Sequence, residues 1–200
     1  QVNLRVKPKN RESLFISAEN SHLISYENLS HLQSEMQDAF CTLATGGGFA
    51  DRMLYTNKEE SIIDVKRPVI LNGISVLVTA QDLLDRTIHI DMPRIINRKT
   101  EKEIEKEISE NKGTIWAGLL DLLADALKIL PSVKIGQEAL PRMADFAYLG
   151  EAVYRSLGNA EGSFLADYEA NRYEGVHRTI DSSPVASKLI DFIDCSENQE

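Results

Sequence analysis

Glu27, Asn72 and Arg86 are the residues whose types and positions could do chemistry. Glu27 and its neighbour Asn28 follow the apolar run Leu23-Ile24-Ser25-Tyr26, and Asn72-Gly73 follows Pro68-Val69-Ile70-Leu71. A short apolar run bounded by turn residues predicts a buried parallel strand. Polar side chains at the carboxyl ends of such strands fall in the crevice where open α/β sheets bind ligands. An amide donates and accepts at once, so Asn72 can hold a water or a phosphoryl oxygen. The guanidinium of Arg86 is a planar, permanently charged fork, the geometry that phosphate recognition favours. Each residue also has a plain structural reading. Glu27 can end a strand with Asn28 turning the chain, Asn72-Gly73 can be an ordinary turn, and Arg86 can pair with Asp82 or Asp85 at the surface.

The elements that must position these residues follow from periodicity and turn chemistry. Residues 1–12 are polar and predict a loop at the start; Asn10 can cap a short helix carrying Leu14, Phe15 and Ala18, although Leu14-Phe15-Ile16 would also fit a strand. A strand over His22–Tyr26 comes next. Ser30 with Gln33 has the form of a capping box, opening a helix whose Leu32, Met36, Phe40 and Leu43 recur at helical spacing. Gly46-Gly47-Gly48 ends it, since glycine accepts the left-handed C-cap. Met53-Leu54-Tyr55 and Ser61 to Val65 predict a hairpin around Thr56 to Glu60, and Gln81 to Arg86 predicts a helical segment before a strand over Thr87–Ile90.

Beyond Pro93 every segment reads as helix. Thr100 with Glu103 is a second capping box, opening a charged helix to about Asn111 with Ile104 and Ile108 on its buried edge. Gly113-Thr114 restarts a more apolar helix, Ile115 to Leu130, stopped by Pro131; its leucines cover over half the circumference, which implies contacts on two sides, with Trp116 in the core. Pro141 starts a helix with Met143, Phe146, Tyr154 and Leu157 facing inward and Gly158 after its end. Helices over Ser163–Thr179 and from Ser183 to about Asp194 precede a polar tail.

This order of elements, with Leu43-Ala44-Thr45-Gly46-Gly47-Gly48, Arg52-Met53-Leu54-Tyr55, Asn72 and Asp82-Leu83-Leu84-Asp85-Arg86, resembles the AAA+ ATPases of phages, plasmids and integrated elements. More broadly it is similar to superfamily 3 and poxvirus-type primase-helicases. The resemblance covers most of the chain, most strongly Leu23 to Arg86, with a second stretch at Leu140 to Phe146. It implies an α/β fold: the later half of a P-loop NTPase core, with parallel strands plus a β-hairpin, over residues 1–97, and an all-α lid and extension over 98–200. It implies Glu27 as the acid that orders magnesium, with Asn28 beside it, Asn72 as sensor 1, Arg86 as an arginine finger and Arg142 as a sensor 2 arginine. Arg142 can equally be held by Asp145. Asn28 stands where AAA+ proteins generally carry a glutamate, and an amide cannot act as a general base. The implied activity is an oligomeric, ring-forming ATPase with a helicase-like role in mobile-element DNA replication, using ATP and magnesium. Lys58, Lys66 and Arg67 are the implied channel residues for DNA, Lys58 reading equally as part of a solvated hairpin.

The Gly-x-x-x-x-Gly-Lys-Ser/Thr loop that cradles phosphates is missing, and Gly46 to Gly48 leads to Phe49. In such ATPases that loop precedes the acidic strand. The expectation is a later part of a longer protein that does not bind nucleotide unaided, and the alternative is a non-catalytic interaction module derived from an ATPase. The 200 residues are 42% apolar, enough for a core, and carry a net charge of −9, which argues against coating DNA by bulk electrostatics. No apolar run reaches the length of a membrane span and no secretory pattern opens the chain, so the expected place is the cytoplasm. Cys41 and Cys195 are the only cysteines, and His22, His31, His89 and His177 show no metal-ligand spacing.

Overall fold

A computed structural model describes residues 4–52 and 60–197. The chain is mixed α/β and mostly helical. Its compact units are residues 1–87 with 173–200, and residues 88–172.

In the first unit the order is β1 (Leu4–Arg5), α1 (Arg11–Glu19), β2 (Ile24–Leu29), α2 (Ser34–Thr45), β3 (Gly48–Arg52), β4 (Glu60–Asp64), β5 (Val69–Gly73) and α3 (Gln81–Leu84). Strands β1, β2 and β5 form a parallel sheet in the order β1-β2-β5, and β3 pairs β4 as an antiparallel hairpin. Parallel neighbours need crossovers, which α1 and the α2-hairpin segment supply. The core gathers Leu14, Phe15 and Ala18 of α1, Ile24 and Tyr26 of β2, and Met36, Phe40 and Leu43 of α2. Tyr26 and Phe40 meet edge to face, with ring centroids 6.1 Å apart.

Local chemistry explains the helix ends. Asn10 accepts from the Ser13 amide at 2.9 Å and Ser13 Oγ accepts from the Asn10 amide, a full capping box. Helix α2 starts later than expected. Ser30 Oγ lies beside His31 Nδ1 instead of capping, Leu32 is buried in the core, and the Gln33 carbonyl receives the first helical amides, from Met36 and Gln37. Gly46 closes the helix at φ 84° with its N–H on the Thr42 carbonyl. The hairpin begins at Gly48, also displaced from expectation, and Met53 to Glu59 lie outside the described residues. The expected N-terminal loop instead contributes β1, because Leu4 and Arg5 pair with Ser25 and Tyr26.

The second unit holds α4 (Glu101–Ile129), α5 (Ala144–Ser156) and the start of α6 (Ser163–Asp181); α7 (Pro184–Glu197) returns to the first. Two helices expected between Thr100 and Leu130 are one. Gly113 inside it costs only about 1 kcal/mol relative to alanine, too little to break a helix with a full capping box at Thr100. Helix α5 packs on the last turns of α4, where Ala126, Ile129 and Leu130 meet Tyr148, Ala152 and Val153. Trp116 is therefore 63% exposed, and Ile104 and Ile108 are exposed as well, against expectation. Pro141 lies in the turn before α5, and Leu157 is exposed past its end, where Gly158 takes φ 86°. Phe146 and Tyr154 do turn inward, onto Phe164 at 5.7 and 5.1 Å. A Cβ on Gly150 would come within 2.2 Å of the Phe164 ring, so α5 and α6 approach only because that position is glycine.

Residues 87–90 are not a strand. Both main-chain groups of His89 are taken by the Asn171 side chain, which accepts from its N–H at 2.9 Å and donates to its carbonyl at 2.7 Å. One amide side chain thus does what a neighbouring strand would have done.

Candidate functional site at the carboxyl end of the parallel sheet

The register of β2 on β5 places Ile24 on Val69, Ser25 on Ile70 and Tyr26 on Leu71, then shifts so that Leu29 meets Gly73. Glu27 and Asn28 therefore stand against Asn72 alone, the two-to-one count of a β-bulge. Asn28 absorbs the extra residue at φ 55°, in the left-handed region that asparagine enters more readily than most residues. Strand alternation carries Glu27 to the Ser25 face and Asn72 to the Ile70 face, and those two are register partners, so acid and amide share one face of neighbouring strands. Glu27 is half-buried, Asn28 and Asn72 are exposed, and Ile70 beside them is 50% exposed. A Cβ on Gly73 would lie 2.2 Å from the Leu29 carbonyl oxygen, so only glycine permits the strands to close beyond the bulge.

Arg86 sits in the turn after α3. Its Nη1 donates to the Asp82 carbonyl at 2.6 Å and pairs with Asp82 Oδ1 at 2.8 Å, and the side chain is 10% exposed. The pairing named as its structural reading is present. The start of α3 is held by Gln37, a buried α2 residue that the sequence did not single out. Its Oε1 accepts from the Thr79 and Ala80 amides at 2.9 and 2.8 Å, and its Nε2 donates to the Leu32 carbonyl and Thr79 Oγ1. Helix α3 has no side-chain cap of its own, so Gln37 satisfies amides at its start. The signal was available: Gln37 falls on the apolar arc between Met36 and Cys41. Burial, with Asp82 beside it, pushes the Cys41 thiol up to about 11, which leaves it protonated and inert as a nucleophile.

Arg67 donates from Nε to the Ala18 and Ser21 carbonyls at 3.1 Å and from Nη1 to the Lys66 carbonyl, closing the end of α1. Lys66 is exposed, and its side chain runs past Gly46. Lys58 lies outside the described residues. Arg142 is exposed before α5 in the second unit.

Glu27 is a single carboxylate, and among the described residues no three His, Cys, Asp or Glu side chains gather to hold a metal. A magnesium triphosphate also needs a phosphate cradle, and the chain has no glycine-rich lysine loop. The donors present do not by themselves fit the whole group. Among the described residues no helix is long and apolar enough to cross a membrane.

Residues 1–171 match the family model of the actinomycete integrative conjugative element replication protein. Comparison with curated proteins and with solved structures finds no match. The match takes in the sheet, the bulge, α3, the whole of α4 and α5 and part of α6, and the chain belongs to this family of replication proteins of actinomycete integrative conjugative elements.

Proposed function

We propose that the chain is the later part of an AAA+-type core with its helical lid, and that it works as an oligomeric, helicase-like motor in replicating the mobile element. The observation that carries this reading is the bulged register that sets Glu27 and Asn72 on one face at the carboxyl ends of adjacent parallel strands. Open α/β sheets bind ligands at that rim. Among the described residues β5 pairs on one side only, which leaves an edge where a strand bearing the phosphate loop can add. In this reading Glu27 and Asn72 supply acid and amide, and Arg86 serves the nucleotide of a neighbouring subunit after leaving Asp82. Arg142 belongs to the lid, and Lys66 faces DNA.

Steady-state ATP hydrolysis by a longer protein that includes a phosphate loop tests it. Glu27→Gln and Asn72→Ala are each expected to lower kcat about a hundredfold. Arg86→Ala is expected to be inactive alone and restored by mixing with subunits disabled only in the phosphate loop. Unchanged turnover in Glu27→Gln removes the motor reading. A second reading, a non-catalytic interaction module, is favoured by the Arg86–Asp82 pairing and by the amide at Asn28. It predicts no hydrolysis in any of these proteins.

A further inference from the structure

Every arginine whose side chain is described is engaged within the chain, with two exceptions. Arg5 donates to Ser21, Arg67 to main-chain carbonyls, and Arg86, Arg155 and Arg178 to acids, while Arg11, Arg142 and Arg172 also have partners. Arg94 and Arg98 have no ion pair or hydrogen bond among the described residues, and both line the same open cavity, about 620 Å³, with Ile95, Asn97, Lys99 and Ile104. In a chain of net charge −9, residues 94–99 carry three cations and no acid. Two carboxylates of the adjoining helix are occupied: Glu103 Oε2 accepts from the Thr100 amide at 2.7 Å and from Thr100 Oγ1 at 2.8 Å, and Glu107 Oε2 holds Lys99 Nζ at 2.7 Å.

Guanidinium forks left without protein partners around a concavity match the geometry of phosphate oxygens. The volume suits one nucleotide unit, and the two isoleucines and the arginine planes offer the base an apolar and stackable surface. We infer that this cavity binds a nucleotide of single-stranded DNA, with Arg94, Arg98 and Lys99 on the backbone phosphates. A duplex must unstack and unpair a base before it can place one in a pocket, which disfavours it relative to a single strand. The inference draws on the replication role of the family and on these residues, and it is independent of ATP hydrolysis.

The test is fluorescence anisotropy of a labelled oligothymidylate of about 20 nucleotides with the 200-residue chain, across a salt series. Arg94→Ala and Arg98→Ala are each expected to weaken binding about five- to tenfold and to make the salt dependence shallower by about 0.7 per lost contact. Arg98→Lys, which keeps the charge and loses the planar fork, is expected to weaken binding while leaving the salt dependence unchanged. Glu107→Gln releases Lys99 and tightens binding, a gain that a structural role would not produce. Lys134→Ala, a charge control outside the cavity, leaves affinity unchanged. Circular dichroism checks that these exposed substitutions preserve the fold. No measurable binding at low salt, equal binding of duplex, full competition by inorganic phosphate, or arginine variants indistinguishable from Lys134→Ala would each overturn the proposal. A loss of hydrolysis with binding intact leaves it standing.

Discussion

Gln37 ties α2 to the start of α3 through three hydrogen bonds of 2.8–3.0 Å and holds the Leu32 carbonyl at 3.1 Å with a fourth. Gln37→Ala would leave the Thr79 and Ala80 amides and the Leu32 carbonyl without that partner, so a loss of about 2–4 kcal/mol is expected in urea unfolding. An unchanged midpoint would mean that water replaces the amide at no cost. Residues of this kind explain why the site was only partly legible in the sequence. Glu27 and Asn72 were readable because apolar runs announce strands and strand ends announce rims. The bulge at Asn28 was not, because a register shift belongs to two strands at once and leaves no local pattern. Arg67 was expected among the DNA-channel residues, yet two of the carbonyls it serves are 46 and 49 residues away in sequence.

At the scale of elements, the capping box of α4 makes a prediction with a defined sign. The Thr100 amide, and then its hydroxyl, hold the Glu103 carboxyl below the usual range. A depressed folded value means that the contribution is fully present above the ordinary glutamate pKa of about 4.3 and is lost as pH falls through the folded value. Helicity followed at 222 nm is therefore expected to decline with acid below about pH 4, with a smaller change in Glu103→Gln, whose amide keeps an accepting oxygen. Equal acid sensitivity in both proteins would assign the decline elsewhere. Thr100 and Glu103 stood out in the sequence because such boxes are local. The single long helix did not, since Gly113-Thr114 has the look of a boundary and only the summed propensity of 29 residues overrides it. The segment over 87–90 was misread for a related reason: its apolar alternation is that of a strand, but its partner is the Asn171 side chain, 82 residues on.

At the scale of the molecule, the first unit is built from two separated stretches, 1–87 and 173–200. Val176 packs against the core that contains Leu14 and Phe40, and Thr179 Oγ1 donates to the Val78 carbonyl at 3.3 Å. A chain cut after Arg172 keeps the family match yet loses both contacts. It is expected to melt at least about 5 °C lower than the 200-residue chain by differential scanning calorimetry. An identical melting temperature would show that residues 173–200 add nothing to that unit. Neither the split nor the return of α6 and α7 could be read from the chain, because helical periodicity says which face is apolar and not what it will meet.

The split also orders events during synthesis. The parallel sheet can close once residue 73 has left the ribosome, but the patch around Val78 waits until more than a hundred further residues have been made. Of the two units, the one whose translation begins earlier in this stretch is thus the last to be finished. A nascent chain stalled between the two stretches would offer chaperones an open seam beside an otherwise formed sheet.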